Sequence, residues 1–256
     1  MNFLPSGSIP YQQYILGPTD SLATLLKGYG YETRAFHPGE QTSWQRNIAY
    51  PRLGFDSFKC GEDMDVPQTE EHGYVSDDSD FEQIIWEFEH KDESTPLFLF
   101  NVTIQNHGSY TVEDYPAEVQ LTDEPGKYPM AEQYLTLANK TDEAFRLLVD
   151  YFSQQEEPTI ILMFGDHQPS VEQEFLDKAY GVTQDQMTME QYMGKYKTPF
   201  LIWANYDLPD DQIPTSSLNF LGQYLLSYAG IEASTYENYL TDFQQKLPAM
   251  TFVGYV

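Results

Sequence analysis

Two adjacent residues, Asp166 and His167, pose the chemical question of this chain. A carboxylate oxygen and an imidazole nitrogen are good donors for Zn or Mn. Here they follow the run Ile160-Ile161-Leu162-Met163-Phe164-Gly165, in which residues 160–164 include no polar side chain. Such a run reads as a strand covered on both faces in the middle of a sheet. Gly165 permits a sharp turn at its end, and α/β folds bind ligands in the loops at the carboxyl ends of such strands. Two donors alone do not make a metal site. A capping aspartate beside a hydrogen-bonded loop histidine would have the same sequence.

Two further segments deliver a histidine in the same way. Residues 96–104 read as a second buried strand, ending in Gln105-Asn106-His107-Gly108-Ser109-Tyr110. If this strand lies parallel and adjacent to the one at 160–164, both loops open on one rim. Residues 31–36 read as a short strand leading to His37, followed by a polar loop that carries Trp44 and Arg46 and turns into a helix capped by Ser43. Arginine suits bidentate recognition of phosphate or sulfate, and tryptophan offers a flat face to a sugar or glycerol unit. The alternative is structural, with Trp44 in the core and Arg46 in a salt bridge.

The elements that must position these residues follow from periodicity and punctuation. Thr19 or Asp20 caps a helix over 21–27 with Leu22, Leu25 and Leu26 on one face, closed by Gly28 and Gly30. Residues 53–58 read as a turn anchored by two aromatics. The acidic stretch 62–80 ends in Asp77-Asp78-Ser79-Asp80, which lacks the glycine and terminal glutamate of an EF-hand loop. It reads as the cap and acidic first turn of a helix over 81–91, with Ile84, Ile85 and Phe88 inward. A long loop over 111–128 precedes the strongest helix, 131–152, whose stripe of Tyr134, Leu137, Ala138, Thr141, Phe145, Leu148 and Phe152 is core. Residues 171–193 read as a loop with short helices, and 198–204 as a third apolar strand. A helix capped by Ser216 or Ser217 runs to Tyr228. The tail holds a short helix and a terminal strand. Strand and helix alternate, so the fold is α/β, and residues 1–256 read as a single domain.

The formal net charge is −27 over 256 residues. Such a chain repels nucleic-acid phosphates and anionic lipid surfaces and concentrates divalent cations around itself. Hydrophobic residues make up 41% and aromatics 15%, with 20 tyrosines, a composition that is globular and compatible with carbohydrate. Cys60 is the single cysteine, so an intrachain disulfide is excluded and the thiol reads as structural. No stretch reaches the ~18 apolar residues of a membrane span. The start, Met1-Asn2-Phe3-Leu4-Pro5-Ser6-Gly7, lacks the basic and apolar regions of a signal peptide and reads as the middle of a loop, hence a piece of a longer chain.

Taken together, Phe164-Gly165-Asp166-His167-Gln168-Pro169, Thr198-Pro199-Phe200-Leu201-Ile202-Trp203 and the segment from Ser21 to Tyr31 resemble the extracellular catalytic domain of the lipoteichoic acid synthase family. These are phosphoglycerol transferases of the sulfatase and alkaline phosphatase superfamily. His37, Trp44, Arg46, the Gly54-Phe55-Asp56 turn and the Asn106-His107 loop stand in the family's order, and the resemblance covers nearly the whole chain. It implies a sulfatase-like fold, a mixed and mostly parallel sheet with helices on both faces, truncated here at its N-terminus. It implies a divalent metal, Mn first and Zn, Mg or Ca as alternatives, held by a Glu, a Thr and an Asp-His pair that Asp166 and His167 match. It implies that His37, Trp44, Arg46 and His107 hold a phosphoglycerol head. The family's nucleophilic threonine attacks a phosphatidylglycerol headgroup, and the glycerophosphate passes to a glycolipid or glycan acceptor at the outer face of the cell membrane.

Two departures accompany the resemblance. The family has an acidic residue where this chain has Gly39, with Glu40 next to it as a candidate substitute. The nucleophilic threonine and the metal-binding glutamate are expected upstream, so no catalytic nucleophile is assigned in this chain. The chain alone is then expected to be inactive, with membrane attachment only through N-terminal spans. A sulfatase or phosphodiesterase of the same superfamily is the first alternative, and a non-catalytic glycan-binding module the second.

Overall fold

The structure is a computed structural model that describes residues 4–5, 7–251 and 253–255. Met1 to Phe3 and Ser6, part of the leading loop read above, lie outside the described residues. In chain order the elements are α1 (Pro10–Gln13), α2 (Leu22–Gly28), β1 (Glu32–His37), α3 (Arg46–Arg52), β2 (Ser57–Cys60), β3 (Glu70–Glu71), β4 (Tyr74–Val75), α4 (Asp77–Glu89), β5 (Leu97–Asn101), α5 (Pro129–Phe152), β6 (Ile160–Phe164), α6 (Gln173–Tyr180), α7 (Met189–Gly194), β7 (Phe200–Ala204), α8 (Leu221–Tyr228), α9 (Thr235–Gln244), β8 (Met250–Thr251) and β9 (Gly254–Tyr255). They form two compact units. One comprises residues 9–151 and 170–175; the other comprises 152–169, 176–256 and the first eight residues.

The larger unit is built on a parallel sheet in the order β2-β1-β5. Thr33, Ala35, Phe36 and His37 of the central strand β1 are buried. The segment read as a turn, 53–58, runs into β2, a four-residue strand too short for its alternation of Ser57 and Lys59 with Phe58 and Cys60 to stand out. Tyr50 of α3 is fully buried, and the rings of Tyr11, Phe55, Phe58 and Phe100 surround it at 4.7 to 6.2 Å between centroids. Cys60 is buried as expected for a structural thiol, and burial pushes its pKa up.

Two helix starts differ from the sequence expectation. Ser21, rather than Thr19 or Asp20, caps α2: its hydroxyl accepts from Ala23 N–H at 3.0 Å while Thr24 Oγ1 accepts from Ser21 N–H at 2.8 Å, a reciprocal capping box. Ser76 caps α4, which begins at Asp77 rather than Phe81, with Asp77, Asp78 and Asp80 forming the acidic first turn read from the sequence. Its buried side carries Asp77, Asp80, Phe81, Gln83 and Glu87, and the expected inward residues Ile84, Ile85 and Phe88 are only half-buried. The reason is a polar attachment to the sheet. Glu87 pairs with Arg34 of β1 and, at 2.8 Å, with Lys59 of β2; Asp80 takes a hydrogen bond from Asn101 of β5. Desolvation raises the Asp77 pKa to about 6 and that of Asp80 well above the usual carboxylate range.

Helix α5 has the expected span, extended by two residues at its start. Leu137, Ala144, Leu148 and Phe152 form its buried stripe. Its buried polar residues tie down the loop over 111–128: Glu132 accepts from Leu121 N–H and Gly126 N–H, and Gln133 both accepts from and donates to the backbone of Val112.

In the smaller unit β6 and β7 form an antiparallel ladder, Ile160 opposite Ala204 and Phe164 opposite Phe200. The condition posed above, the strands at 96–104 and 160–164 side by side, is not among the ladders of the described residues: β5 pairs with β1, and β6 with β7. Nor is β6 fully covered. Its residues are half-buried and Phe164 is exposed, because a two-stranded ladder leaves both partners as edges. The Asn205 amide closes the base of the ladder, accepting from Thr159 N–H at 2.8 Å and donating to Glu157 O at 2.9 Å. Ser217 Oγ accepts from Met250 N–H at 2.8 Å rather than capping the following helix. Among the described residues no helix is long and apolar enough to cross a membrane.

Candidate functional site

In the larger unit, β1 and β5 are parallel neighbours, so the loops at their carboxyl ends leave the sheet on the same edge. The ladder continues past β5 through Val102 N–H to Phe36 O at 3.1 Å. His37 closes β1 and is 5% exposed. Gly39 N–H donates to His37 Nδ1 at 2.8 Å. A Cβ at position 39 would lie 2.8 Å from His37 Cε1 and 3.1 Å from Ile104 Cδ1. The His37 ring thus fills the space that a side chain at 39 would occupy.

Glu40, the candidate substitute, is exposed. Its carboxylate accepts from Ser43 Oγ at 3.3 Å, and its main-chain carbonyl accepts from Arg46 Nη1 at 3.1 Å. Ser43 is not the cap of the helix that follows. Trp44 and Gln45 take left-handed backbone angles, φ 58° and 59°, rare for residues with a Cβ, and this kink starts α3 at Arg46. Trp44 stands 52% exposed, so it is not a core residue, and Arg46 is turned inward to 9% exposure. No carboxylate among the described residues pairs with Arg46, and burial pushes its pKa down from the ordinary arginine value. In a chain of net charge −27 this is a buried cation without a counter-ion among the described residues.

His37 responds to the same surroundings. Burial first, then the positive charge of Arg46 and the nearby His107, lower its pKa from 6.5 to about 4. It is neutral at physiological pH. His107 lies exposed in the loop after β5, its Nδ1 2.7 Å from Gly108 O and 3.2 Å from Tyr74 Oη. The Tyr74 ring packs edge-on at 5.5 Å. The loop is anchored from below by buried Gln105, which accepts from Asp77 N–H at 2.9 Å and donates to Thr141 Oγ1 at 3.2 Å. Asn106 Nδ2 donates to the same hydroxyl at 2.8 Å. Sequence reading singled out neither Tyr74 nor Gln105 for these tasks. Gln105 is visible only as a polar residue directly after an apolar run, and Tyr74 has no sequence signal.

The smaller unit holds the other expected residues. The turn after β6 is fixed by Gly165 N–H to Pro199 O at 3.1 Å and by Thr198 Oγ1 to Gly165 O at 2.7 Å. A Cβ on Gly165 would lie 3.1 Å from the Thr198 Cβ, a tight fit. The side chains of Asp166 and His167 are 80% and 77% exposed. His167 Nδ1 donates to Gln168 O at 2.9 Å, and the Gln168 amide donates to Lys197 O. A carbonyl can only accept, so Nδ1 carries a proton, and in the neutral ring the lone pair is then on Nε2, the usual state of a metal-binding histidine. Nε2 lies 3.5 Å from Asp166 Oδ2. Adjacent donors on a tetrahedral Zn stand about 3.3 Å apart, from bond lengths near 2.05 Å. The pair therefore fits two neighbouring positions around a metal ion. Among the described residues no group of three or more His, Cys, Asp or Glu is arranged to hold one.

Comparison with known proteins places this geometry in a family. A model of the sulfatase family, described as "Sulfatase", matches residues 1–231. The chain is 34% identical over 247 residues to a protein of Rhizobium meliloti (strain 1021) named for cyclic beta-1,2-glucan modification, a match covering 93% of this chain and 38% of that protein. Among solved structures, the phosphoglycerol transferase GacH of Streptococcus pyogenes in complex with sn-glycerol-1-phosphate superposes with a TM-score of 0.71 at 22% identity, over 86% of this chain and 55% of that one. The lipoteichoic acid synthase LtaP of Listeria monocytogenes gives 0.61 at 17% identity, over 88% and 56%. At these identities the structural likenesses show the fold. The chain spans well under half the length of the curated relative and about half of each solved chain. With the match over most of its length and the α/β architecture in agreement, the chain belongs to the sulfatase family.

Proposed function

We propose that residues 1–256 are the C-terminal part of one metal-dependent catalytic domain at the outer face of a cell membrane, and that the whole protein transfers phosphoglycerol from phosphatidylglycerol to a glycan or glycolipid acceptor. The observation that carries this reading is Arg46, a nearly buried guanidinium with no carboxylate partner among the described residues. A buried charge left unpaired costs several kcal/mol, of order 3–5. An anionic ligand removes that cost, and guanidinium matches the geometry of phosphate. His37, buried and neutral beside it, adds a hydrogen-bonding group without a second positive charge. Exposed Trp44 offers a face for the glycerol or sugar portion. The glucan-modification name of the curated relative and the glycerol phosphate bound by GacH support a glycan acceptor and a phosphoglycerol donor respectively.

Asp166 and His167 would supply two of the ligands of a divalent metal, Mn in this reading. Such an ion polarises a phosphoryl oxygen and stabilises charge developing on it. The nucleophilic threonine and the metal's glutamate are assigned outside these residues, so this chain alone is expected to bind and not to turn over. Calorimetric titration of the chain with sn-glycerol-1-phosphate tests the binding claim. Saturable one-to-one binding supports it, and no heat or saturation up to millimolar ligand contradicts it. Product analysis on the longer protein, with and without a glycan acceptor, separates transfer from hydrolysis of the same bond: free glycerol phosphate as the sole product would favour a phosphodiesterase.

A further inference from the structure

We propose that Thr141 is the positioning residue of the His107 loop and works as a proton-sensitive rotor, holding the loop while Asp77 is ionised and letting it go when Asp77 takes up a proton. What the loop binds rests on the anion-binding reading above; the rotor does not. Asp77 Oδ2, Asn106 Nδ2, Leu137 O and Gln105 Nε2 surround the Thr141 hydroxyl of α5 at 2.6, 2.8, 3.1 and 3.2 Å. A hydroxyl has one hydrogen and two lone pairs, so it serves at most three of these partners. The two amide nitrogens donate and need the lone pairs. The carboxylate and the carbonyl accept, and they compete for the one hydrogen.

An ionised Asp77 wins that hydrogen by its shorter distance and its charge. The lone pairs are then left for Gln105 and Asn106, the two residues directly before His107. Leu137 O is the carbonyl one turn back, the ordinary acceptor for a threonine within a helix. When Asp77 is neutral the hydrogen returns to Leu137, and rotation about Cβ–Oγ swings the lone pairs away from the loop. Gln105 Nε2 keeps a second acceptor in Leu137 O at 3.3 Å. For Asn106 Nδ2 the Thr141 hydroxyl is the one acceptor among the described residues, so the loss falls on the residue next to His107.

Asp77 is placed to change charge near neutral pH. It is fully buried, and its Oδ1 has no hydrogen-bond partner among the described residues, so a proton adds there without displacing one. Burial raises its pKa to about 6; Asp78 adds to the rise, and the Thr141 and Thr103 hydroxyls oppose it. It meets Asp78 and Asp80 on its own helix, Thr103 and Gln105 after β5, and Thr141 on α5, so the charges that act on it are negative. Lys140, beside Thr141 in sequence, is engaged by Glu71 and Glu118 at 3.2 and 3.4 Å.

The test follows the loop and the ligand separately. 1H–15N spectra of the Asn106 side-chain amide are recorded from pH 8 to pH 5 in a His107→Gln background, which removes the imidazole's own titration. The expected result is a shift with its midpoint at the Asp77 pKa, about 6, and faster exchange of the amide protons below it. The shift should vanish in Asp77→Asn, shrink in Thr141→Val and persist in Thr141→Ser, which keeps the hydroxyl. A titration that survives Asp77→Asn overturns the rotor. So does a Thr141→Ser chain that behaves like Thr141→Val, and this pair decides the matter if Asp77→Asn does not fold. Binding of glycerophosphoglycerol, a phosphodiester whose charge is constant over this range, is then measured at pH 8 and pH 5. Affinity of the unaltered chain is expected to fall about fivefold further than that of Asp77→Asn, the low end of couplings between distinct sites. Equal falls would overturn the link to binding. The expected loop titration with no diester bound at either pH would instead overturn the anion-binding reading and leave the rotor standing.

Discussion

Strands β1 and β6 both end by delivering a histidine into a loop, and the two histidines live in opposite environments. His37 is buried, receives a backbone N–H on Nδ1, and is held neutral far below the ordinary histidine pKa. His167 stands in solvent, gives its Nδ1 proton to a backbone carbonyl, and keeps Nε2 free beside Asp166. The first arrangement suits recognition of an anion, where desolvation strengthens each hydrogen bond and a neighbouring Arg46 supplies charge. The second suits a cation, whose own charge orders the donors once it arrives. One residue type thus takes opposite duties through which ring nitrogen the backbone engages and through how much water surrounds it.

That contrast can be broken at several points. The largest expected effect is at the exposed pair. Asp166→Ala together with His167→Ala should abolish saturable Mn or Zn binding at this site, read by calorimetry, with glycerol phosphate binding measured without metal unchanged. Loss of glycerol phosphate binding as well would show that the substitutions disturb more than the metal donors.

Next comes the pH dependence of stability. The folded pKa of His37, about 4, lies below its unfolded value of 6.5. Its contribution is therefore fully present above pH 6.5 and is lost as the pH falls through 4, a change of about 3 kcal/mol. Asp77 has the opposite sign. Its pKa is raised from 3.8 to about 6, so its contribution is present below 3.8 and lost as the pH rises through 6. The two oppose each other in the unaltered chain. Chemical unfolding between pH 7 and 4 should show a steeper acid loss in Asp77→Asn and a shallower one in His37→Gln. Identical slopes in all three would refute the assigned environments.

The smallest effect is expected at Trp44, which is exposed and packs into no core. Trp44→Ala should change stability by no more than about 0.5 kcal/mol, as surface substitutions usually do. A change in affinity confined to ligands with a glycerol or sugar portion would show that its exposed face is used for binding.

Much of this was legible in the sequence where one physical signal dominated. The 3.6-residue stripe of α5 and the apolar runs of β5, β6 and β7 gave elements close to those observed. His37, Arg46 and His107 could be named because charged and imidazole groups at strand ends are conspicuous, and the structure brings these three onto one sheet edge. What was hidden depends on contacts between distant residues. Strand β2 is short and half polar, and only its pairing with β1 reveals it. The acidic run at 77–80 announced the first turn of α4, but the polar face through which Asp80 and Glu87 attach to the sheet had no sequence signal. The left-handed Trp44 and Gln45 defy local preference and are imposed by the surrounding loop. Gly39 looked like a missing carboxylate in the sequence; the structure shows it as space made for a ring.

The most direct test is a side-by-side titration of the unaltered chain and Arg46→Met with sn-glycerol-1-phosphate, together with thermal unfolding of both without ligand. A buried guanidinium awaiting an anion should give a loss of affinity of about 10- to 100-fold in the variant, as expected for a charged hydrogen bond. The same substitution should leave the ligand-free melting temperature unchanged or higher, because an apolar side chain replaces an unpaired buried charge. Undiminished binding in Arg46→Met, or a sharply lower melting temperature with no ligand present, would show that Arg46 supports the fold rather than a ligand and would contradict the account.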